Sequence, residues 1–288
     1  PCYKLLVDKS NVIDPHAPVD GVVKVIRRDW SIEANAAGGI YANVKDMSKW
    51  LICPLNNGKY GNNLEKTLVS EKTLAEIWSI QTPMSVRKVN PYNTHFSGYG
   101  LGWFISDVKG YKQMAHTGGL AGIVTQTTLI PELGLGIMVY TNQQSGAAFN
   151  AITNSIKDSY LGITGKDRVQ EYKEVESKNM LEAINILEEV KASISKSKTE
   201  VLLPAQTIVG QYQDPWFGEV TIKFVNNKLW YSSAKSFMLN GELQYYQANT
   251  YIVKWTERSF DADAFLMFNL DKDGKALGFK MNAISPLT

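Results

Sequence analysis

Apolar positions recur at two spacings along this chain, and the spacing changes by region. Between residues 43 and 53, Val44, Met47 and Leu51 fall at helical intervals. That predicts an amphipathic helix with Asn43 as its N-cap and Pro54 as its stop. Residues 70–80 predict a second helix, with Glu71 and Lys72 in the first turn. Residues 101–105, 112–115, 122–130 and 136–141 read as strands, with turns at Lys109-Gly110 and Pro131-Glu132. Residues 146–160 return to helical spacing, and Gly162 marks the end. Strands flanked by helices and joined by tight turns predict an α+β fold with an antiparallel sheet.

From about residue 166 to 200 the chain is densely charged, with Leu181, Ile184, Leu187, Val190 and Ile194 on one helical face. That predicts an amphipathic connector helix, interrupted near Ser177. Beyond it the period drops to two. Val220, Ile222 and Phe224 alternate before Asn226-Asn227, residues 229–231 return, and Tyr251, Val253 and Trp255 alternate after Asn249-Thr250. Residues 265–270 and 277–281 flank the turn from Asp271 to Gly274. At least five short strands predict a small all-β barrel or sandwich. Asp271-x-Asp273-Gly274 lacks the bidentate Glu of a calcium loop and reads as a hairpin turn. The chain thus divides into residues 1–163, a charged helical connector at 164–200, and a β-rich domain at 201–288. Trp216, Trp230, Trp255, Tyr245 and Tyr246 of the last part suit core packing, with the lining of a ligand pocket as the alternative.

Composition narrows the function classes. The 44% hydrophobic content supports a real core across 288 residues. Thirty Lys and Arg against 28 Asp and Glu leave a net charge of +2, which gives no electrostatic reason to expect nucleic acid or an anionic membrane. No apolar run is long enough to span a bilayer. Cys2 and Cys53 make no disulfide framework and read as two free thiols. His16, His95 and His116 lie far apart without metal-ligand spacing, so no metal and no cofactor is expected.

The sharpest local feature is His116-Thr117-Gly118-Gly119-Leu120-Ala121-Gly122, at the start of one strand and just before the next. Glycines there let a substrate backbone lie against a strand edge and free an N–H to face a developing oxyanion. The neighbouring His can hold a proton or a hydrogen bond near neutral pH. The same residues also suit a plain glycine-rich hairpin.

The surroundings favour the first reading. Residues 36–51 (Ala-Ala-Gly-Gly-Ile-Tyr-Ala-Asn-Val-Lys-Asp-Met-Ser-Lys-Trp-Leu) closely resemble the segment before a helix in serine β-lactamase-like hydrolases, the penicillin-binding-protein superfamily. Gly98-Tyr-Gly-Leu-Gly-Trp103 resembles the strand that enters their core sheet. His116-Thr-Gly-Gly119 resembles their third active-site motif, with His for the common Lys. Residues 129–142 resemble the next two strands and their turn. Order and spacing agree over about residues 30 to 163. Residues 203–287 resemble, more loosely, a β-rich domain often appended to these hydrolases.

The resemblance implies acyl transfer through a serine ester, on a peptide, amide or ester substrate. It assigns the oxyanion N–H to Gly119 and the pocket border to His116. Thr117 and Gly118 would line the substrate edge, Ala37, Gly38 and Gly39 the facing wall, and Asn142 a polar substrate group or a turn. Neutral His pulls less on a carboxylate than Lys would, which moves weight toward esters or blocked D-peptides. The family's Ser-x-x-Lys and Tyr motifs are not found in place. Matches at Ser85, Ser106, Ser193, Ser195 and Ser232, with Lys88, Lys109, Lys196, Lys198 and Lys235, open no buried helix ahead of a Tyr motif. Tyr41-Ala-Asn43 lies downstream of where the family's Tyr belongs. The expectation is a fragment, the C-terminal half of the hydrolase domain plus an appended domain, with the nucleophile upstream. A penicillin-recognising fold that only binds, and a lipocalin-like carrier built on the β-rich block, are the competing functions. The resemblance points to a periplasmic or extracellular setting and leaves the oligomeric state open.

Overall fold

A six-stranded antiparallel sheet organises the first part of the chain in the computed structural model, which describes residues 9–28, 35–86, 91–197, 202–260 and 262–285. Cys2, Lys88, Lys198 and the end of the β-rich stretch at Leu287 lie outside the described residues. The chain forms two compact units: Pro1–Ala17 with Val23–Glu174, and Pro18–Val22 with Val175–Thr288.

The first elements are a hairpin of β1 (His16–Val19) and β2 (Val22–Val25), then α1 (Asn35–Gly38) and α2 (Val44–Leu55). A small pair, β3 (Lys59–Tyr60) and β4 (Lys66–Thr67), leads to α3 (Glu71–Ile77). The main sheet follows in chain order: β5 (Thr82–Met84), β6 (Ser97–Tyr99), β7 (Phe104–Val108), β8 (Tyr111–Leu120), β9 (Ile123–Ile130) and β10 (Leu135–Thr141). Then come α4 (Gly146–Tyr160) and the long α5 (Arg168–Ser197).

Local chemistry explains these boundaries. The Asn43 side chain accepts from Asp46 N–H, and Ser70 Oγ accepts from Thr73 N–H, so both N-caps are occupied. Pro54 does not stop α2 but sits inside its last turn, and the helix ends one residue later at Leu55. Gly98–Trp103 is not one entering strand. Gly102 takes φ +82° and turns the chain between β6 and β7. A Cβ on Gly100 would collide with the carbonyls of Ile77 and Ser79. α5 runs unbroken through Ser177, which carries neither the lost N–H of Pro nor the backbone freedom of Gly. Its inward face also differs from expectation: Ala183 and Val190 are buried, whereas Leu181 and Ile184 are exposed.

Helices cover both faces of the main sheet. Met114 and Leu129 pack with Leu51 of α2 and with Leu74 and Trp78 at α3. On the opposite face Ile130, Ile137 and Val139 pack with Phe149 of α4. This alternation along single strands is the period-two pattern expected of a sheet buried on both sides.

In the second unit, β11 (Gly210–Asp214), β12 (Gly218–Val225), β13 (Lys228–Ser233), β14 (Asn240–Gln247), β15 (Thr250–Trp255), β16 (Ala264–Leu270) and β17 (Ala276–Ala283) form one antiparallel meander. Asn226 and Asn227 both have positive φ, which gives the β12–β13 hairpin its two-residue turn. The sheet curls into a nearly closed barrel. Tyr212 of the first strand meets Phe279 of the last, with ring centroids 5.1 Å apart. Ile222, Tyr231, Val253, Trp255, Leu266 and Phe268 fill it. Trp216 departs from the core role suggested by its sequence and stands 82% exposed in the β11–β12 turn. The Asp271 carboxylate accepts from Asp273 and Lys275 N–H, which ties down the β16–β17 turn. Among the described residues no helix is long and apolar enough to cross a membrane.

Candidate active site

The pairing of β8 creates the candidate site. β8 pairs β9 from Met114↔Leu129 to Leu120↔Ile123, but β7 pairs β8 only from Val108↔Tyr111 to Phe104↔Ala115. Beyond Ala115, among the described residues, the β7-side edge of β8 has no strand beside it. The β8–β9 turn holds two residues, Ala121 and Gly122, so Leu120 and Ile123 form a hydrogen-bonded pair. Alternation then makes Gly118↔Thr125 and His116↔Thr127 hydrogen-bonded pairs as well. Thr117 and Gly119 therefore turn their N–H and C=O groups toward the open edge. Both are exposed.

The two glycines of this step differ. A Cβ on Gly118 would collide with the Oγ1 of its cross-strand neighbour Thr125, so a side chain there requires that hydroxyl to turn away. A Cβ on Gly119 would meet open space, and its φ lies outside the left-handed region. Neither packing nor backbone strain requires glycine at 119.

His116 shares a β8 face with Met114, Gly118 and Leu120, the face that packs toward α2 and α3. Its Nδ1 lies 2.6 Å from Thr117 O, and its Nε2 lies 3.0 Å from Tyr99 Oη. The ring stacks on Phe104 at 5.7 Å, and Tyr99 meets Phe104 edge-on at 4.8 Å. Tyr99 and Phe104 are opposite one another in the β6–β7 pair, so strand register builds this three-ring cluster. Tyr99 was not singled out from the sequence. It sits inside the glycine motif at residues 98–103, and the signal that marks it is the pairing of β6 with β7.

The remaining predicted residues separate. α1 lies at the far end of β8, where a Cβ on Gly38 would stand 3.4 Å from the Leu120 side chain, on the His116 face. Ala37 and Gly39 flank it, Ala37 exposed and Gly39 half-buried. Asn142 follows β10, two strands from β8. Its carbonyl accepts from His16 N–H at 3.0 Å, and its Nδ2 is 3.5 Å from His16 Nδ1. The structure does not join Asn142 to His116.

None of the five Ser-x-x-Lys pairs forms a buried nucleophile–amine pair among the described residues. Ser106 lies on β7 and receives Gln113 Nε2 at 3.4 Å, while Lys109 turns the β7–β8 hairpin at φ 51°. Ser193 and Ser195 are on α5, where Ser195 Oγ donates back to the Lys191 carbonyl. Ser232 is on β13, and Lys235 donates to Trp216 O. Ser85 directly follows β5, and its Lys88 is outside the described residues. Asn43 of the Tyr41-Ala-Asn43 match is the α2 cap.

A buried charged cluster lies on the other face of the sheet, away from His116. Lys157 Nζ donates to Gln113 Oε1 at 3.1 Å and stands 4.2 Å over the Tyr92 ring. Arg168 forks onto Asp158 at 2.7 and 3.2 Å. Burial pushes the Lys157 amine down to about 8, with the Asp158 charge opposing and Arg168 adding to the shift. Burial likewise raises the Cys53 thiol, which is free.

Residues 8–160 match the family model described as Beta-lactamase, and residues 196–286 match a domain of unknown function, DUF3471. Among curated proteins, Unguisins hydrolase ungD' of Aspergillus campestris (strain IBT 28561) is 26% identical over 196 residues, covering 66% of this chain and 35% of the relative. Among solved structures, the octameric penicillin-binding protein homologue from Pyrococcus abyssi is 15% identical, with TM-score 0.35, over 84% of this chain and 47% of that one. SurE is 13% identical, with TM-score 0.39, over 94% of this chain and 55% of that one. The chain thus spans about a third of the curated relative and about half of each solved structure.

Proposed function

This chain belongs to the beta-lactamase family, and from that premise we propose that it supplies one wall of a serine acyl-hydrolase pocket. The observation that carries the proposal is the open edge of β8, with the Gly119 N–H turned outward beside His116. In the proposed reaction a serine hydroxyl attacks an amide or ester carbonyl. The hydroxyl proton passes to a neighbouring base, the leaving amine or alcohol takes it up, and water then releases the acyl group. The carbonyl oxygen carries negative charge in each tetrahedral intermediate, and Gly119 N–H donates to it. One such donor is worth about 3–4 kcal/mol of barrier.

Thr117 and Gly118 continue the edge along which an extended substrate would lie, and Gly38, with Ala37 and Gly39, closes its far end. Asn142 is proposed as a turn residue, a role supported by its bonds to His16. The serine and its lysine and tyrosine partners are proposed to lie in polypeptide preceding residue 1. The 35% share of the curated relative that this chain covers supports that reading. The relative's name, an unguisins hydrolase, supports hydrolysis as the reaction. A periplasmic or extracellular setting is proposed on family grounds.

The test uses the full-length protein encoded by the gene. A fluorophosphonate probe is expected to add once, irreversibly, at a serine outside residues 1–288, and a D-peptide or ester substrate to protect against it. Failure of the probe to label, with a folded protein, contradicts the hydrolase reading and favours a groove that only binds.

A further inference from the structure

Both ring nitrogens of His116 have partners, and the chemistry of those partners fixes where the proton sits. Thr117 O is a carbonyl and can only accept, so Nδ1 at 2.6 Å carries the hydrogen. Nε2 then holds a lone pair, and the Tyr99 hydroxyl at 3.0 Å donates to it. Among the described residues no carboxylate contacts the ring. The ring is also gripped by packing, stacked on Phe104 while Tyr99 meets that same phenyl edge-on. Its Nδ1–H covers Thr117 O, one of the two carbonyls on the open edge, and leaves the Gly119 groups for substrate.

We propose that Tyr99 is the positioning residue of this step. Thr117 O sets the Nδ1–H tautomer, and Tyr99, by donating to Nε2, holds the ring in place and occupies its lone pair, so that the ring keeps no free donor. The subsite beside Gly119 then selects an uncharged acyl group over one bearing a free carboxylate. The substrate consequence rests on the hydrolase reading above; the tautomer does not. The common Lys at this position would offer an anion a cation, whereas the ring here offers a nitrogen already capped by a phenol.

Two measurements separate the claims. Long-range ¹H–¹⁵N spectra of the chain at about pH 8, above the ordinary imidazole range, read the tautomer without turnover. The expected result is His116 protonated at Nδ1 and bare at Nε2, with Tyr99→Phe shifting the Nε2 resonance, as loss of its hydrogen bond requires, while circular dichroism stays unchanged. Protonation at Nε2 in the wild type, or an unaltered Nε2 resonance in Tyr99→Phe, overturns the proposal. In the full-length protein, kcat/KM is compared for a peptide ester with a free carboxylate and for its amidated twin. The wild type should prefer the amidated twin, and Tyr99→Phe should narrow that preference about tenfold, chiefly through KM for the free acid. An unchanged preference overturns the selectivity claim. If neither twin is turned over, the hydrolase reading falls, and the spectra still decide whether Tyr99 sets the ring.

Discussion

Lys157 shows what a single buried cation does to the first unit. Its folded-state pKa near 8 lies below the ordinary 10.5, because burial penalises the charged form. Between those values the unfolded chain binds more protons, so stability rises with pH across the window. Burial of Tyr92 raises its pKa and reverses the trend above about pH 10. Urea unfolding should therefore give a stability about 2 kcal/mol higher at pH 9.5 than at pH 7.5. Lys157→Met should flatten that difference, and a retained slope would assign it to other groups. At this scale the sequence was legible where chemistry is local. Asn43 read as a cap because a side-chain oxygen three residues before an N–H can do little else so well. Tyr99 was not legible, because its meaning comes from a strand pairing and from a histidine 17 residues away.

Elements were legible where their periodicity was strong and uninterrupted. Residues 146–160 show helical spacing with a closing glycine, and α4 has those limits. β8 runs five residues beyond the expected strand, through the glycines, because β9 supplies a full ladder that overrides their poor strand propensity. α5 begins with a residue that charge density alone would place in solvent. Arg168 is instead buried, held by Asp158 of α4 and by Glu171 one turn on. Removing one partner of a buried pair strands the other. Asp158→Ala is expected to cost about 3–5 kcal/mol in urea unfolding. A loss under 1 kcal/mol would show that Arg168 finds solvent or another acceptor.

For the whole chain, the α+β class and the β-rich ending followed from a shift in hydrophobic period. Barrel closure did not, since the meeting of Tyr212 with Phe279 depends on the curl of seven strands. Phe268 is fully buried in that barrel, and Phe268→Ala should destabilise it by about 3–5 kcal/mol, read by thermal unfolding. The site likewise belongs to the whole sheet. The His-Thr-Gly-Gly run is visible in one line of sequence, but its open edge exists only because β7 ends opposite Ala115. Glycine at 119 serves neither backbone strain nor close packing, so its N–H can be tested separately from its size. The decisive measurement is kcat of the full-length protein carrying Gly119→Ala and Gly119→Pro on one ester substrate. Gly119→Ala, which keeps the N–H and meets open space, should stay within about threefold of wild type, and Gly119→Pro, which removes the N–H, should lose about 10²–10³-fold. Equal activity in the two variants would contradict the account, because the N–H at the edge of β8 would then carry no part of the reaction.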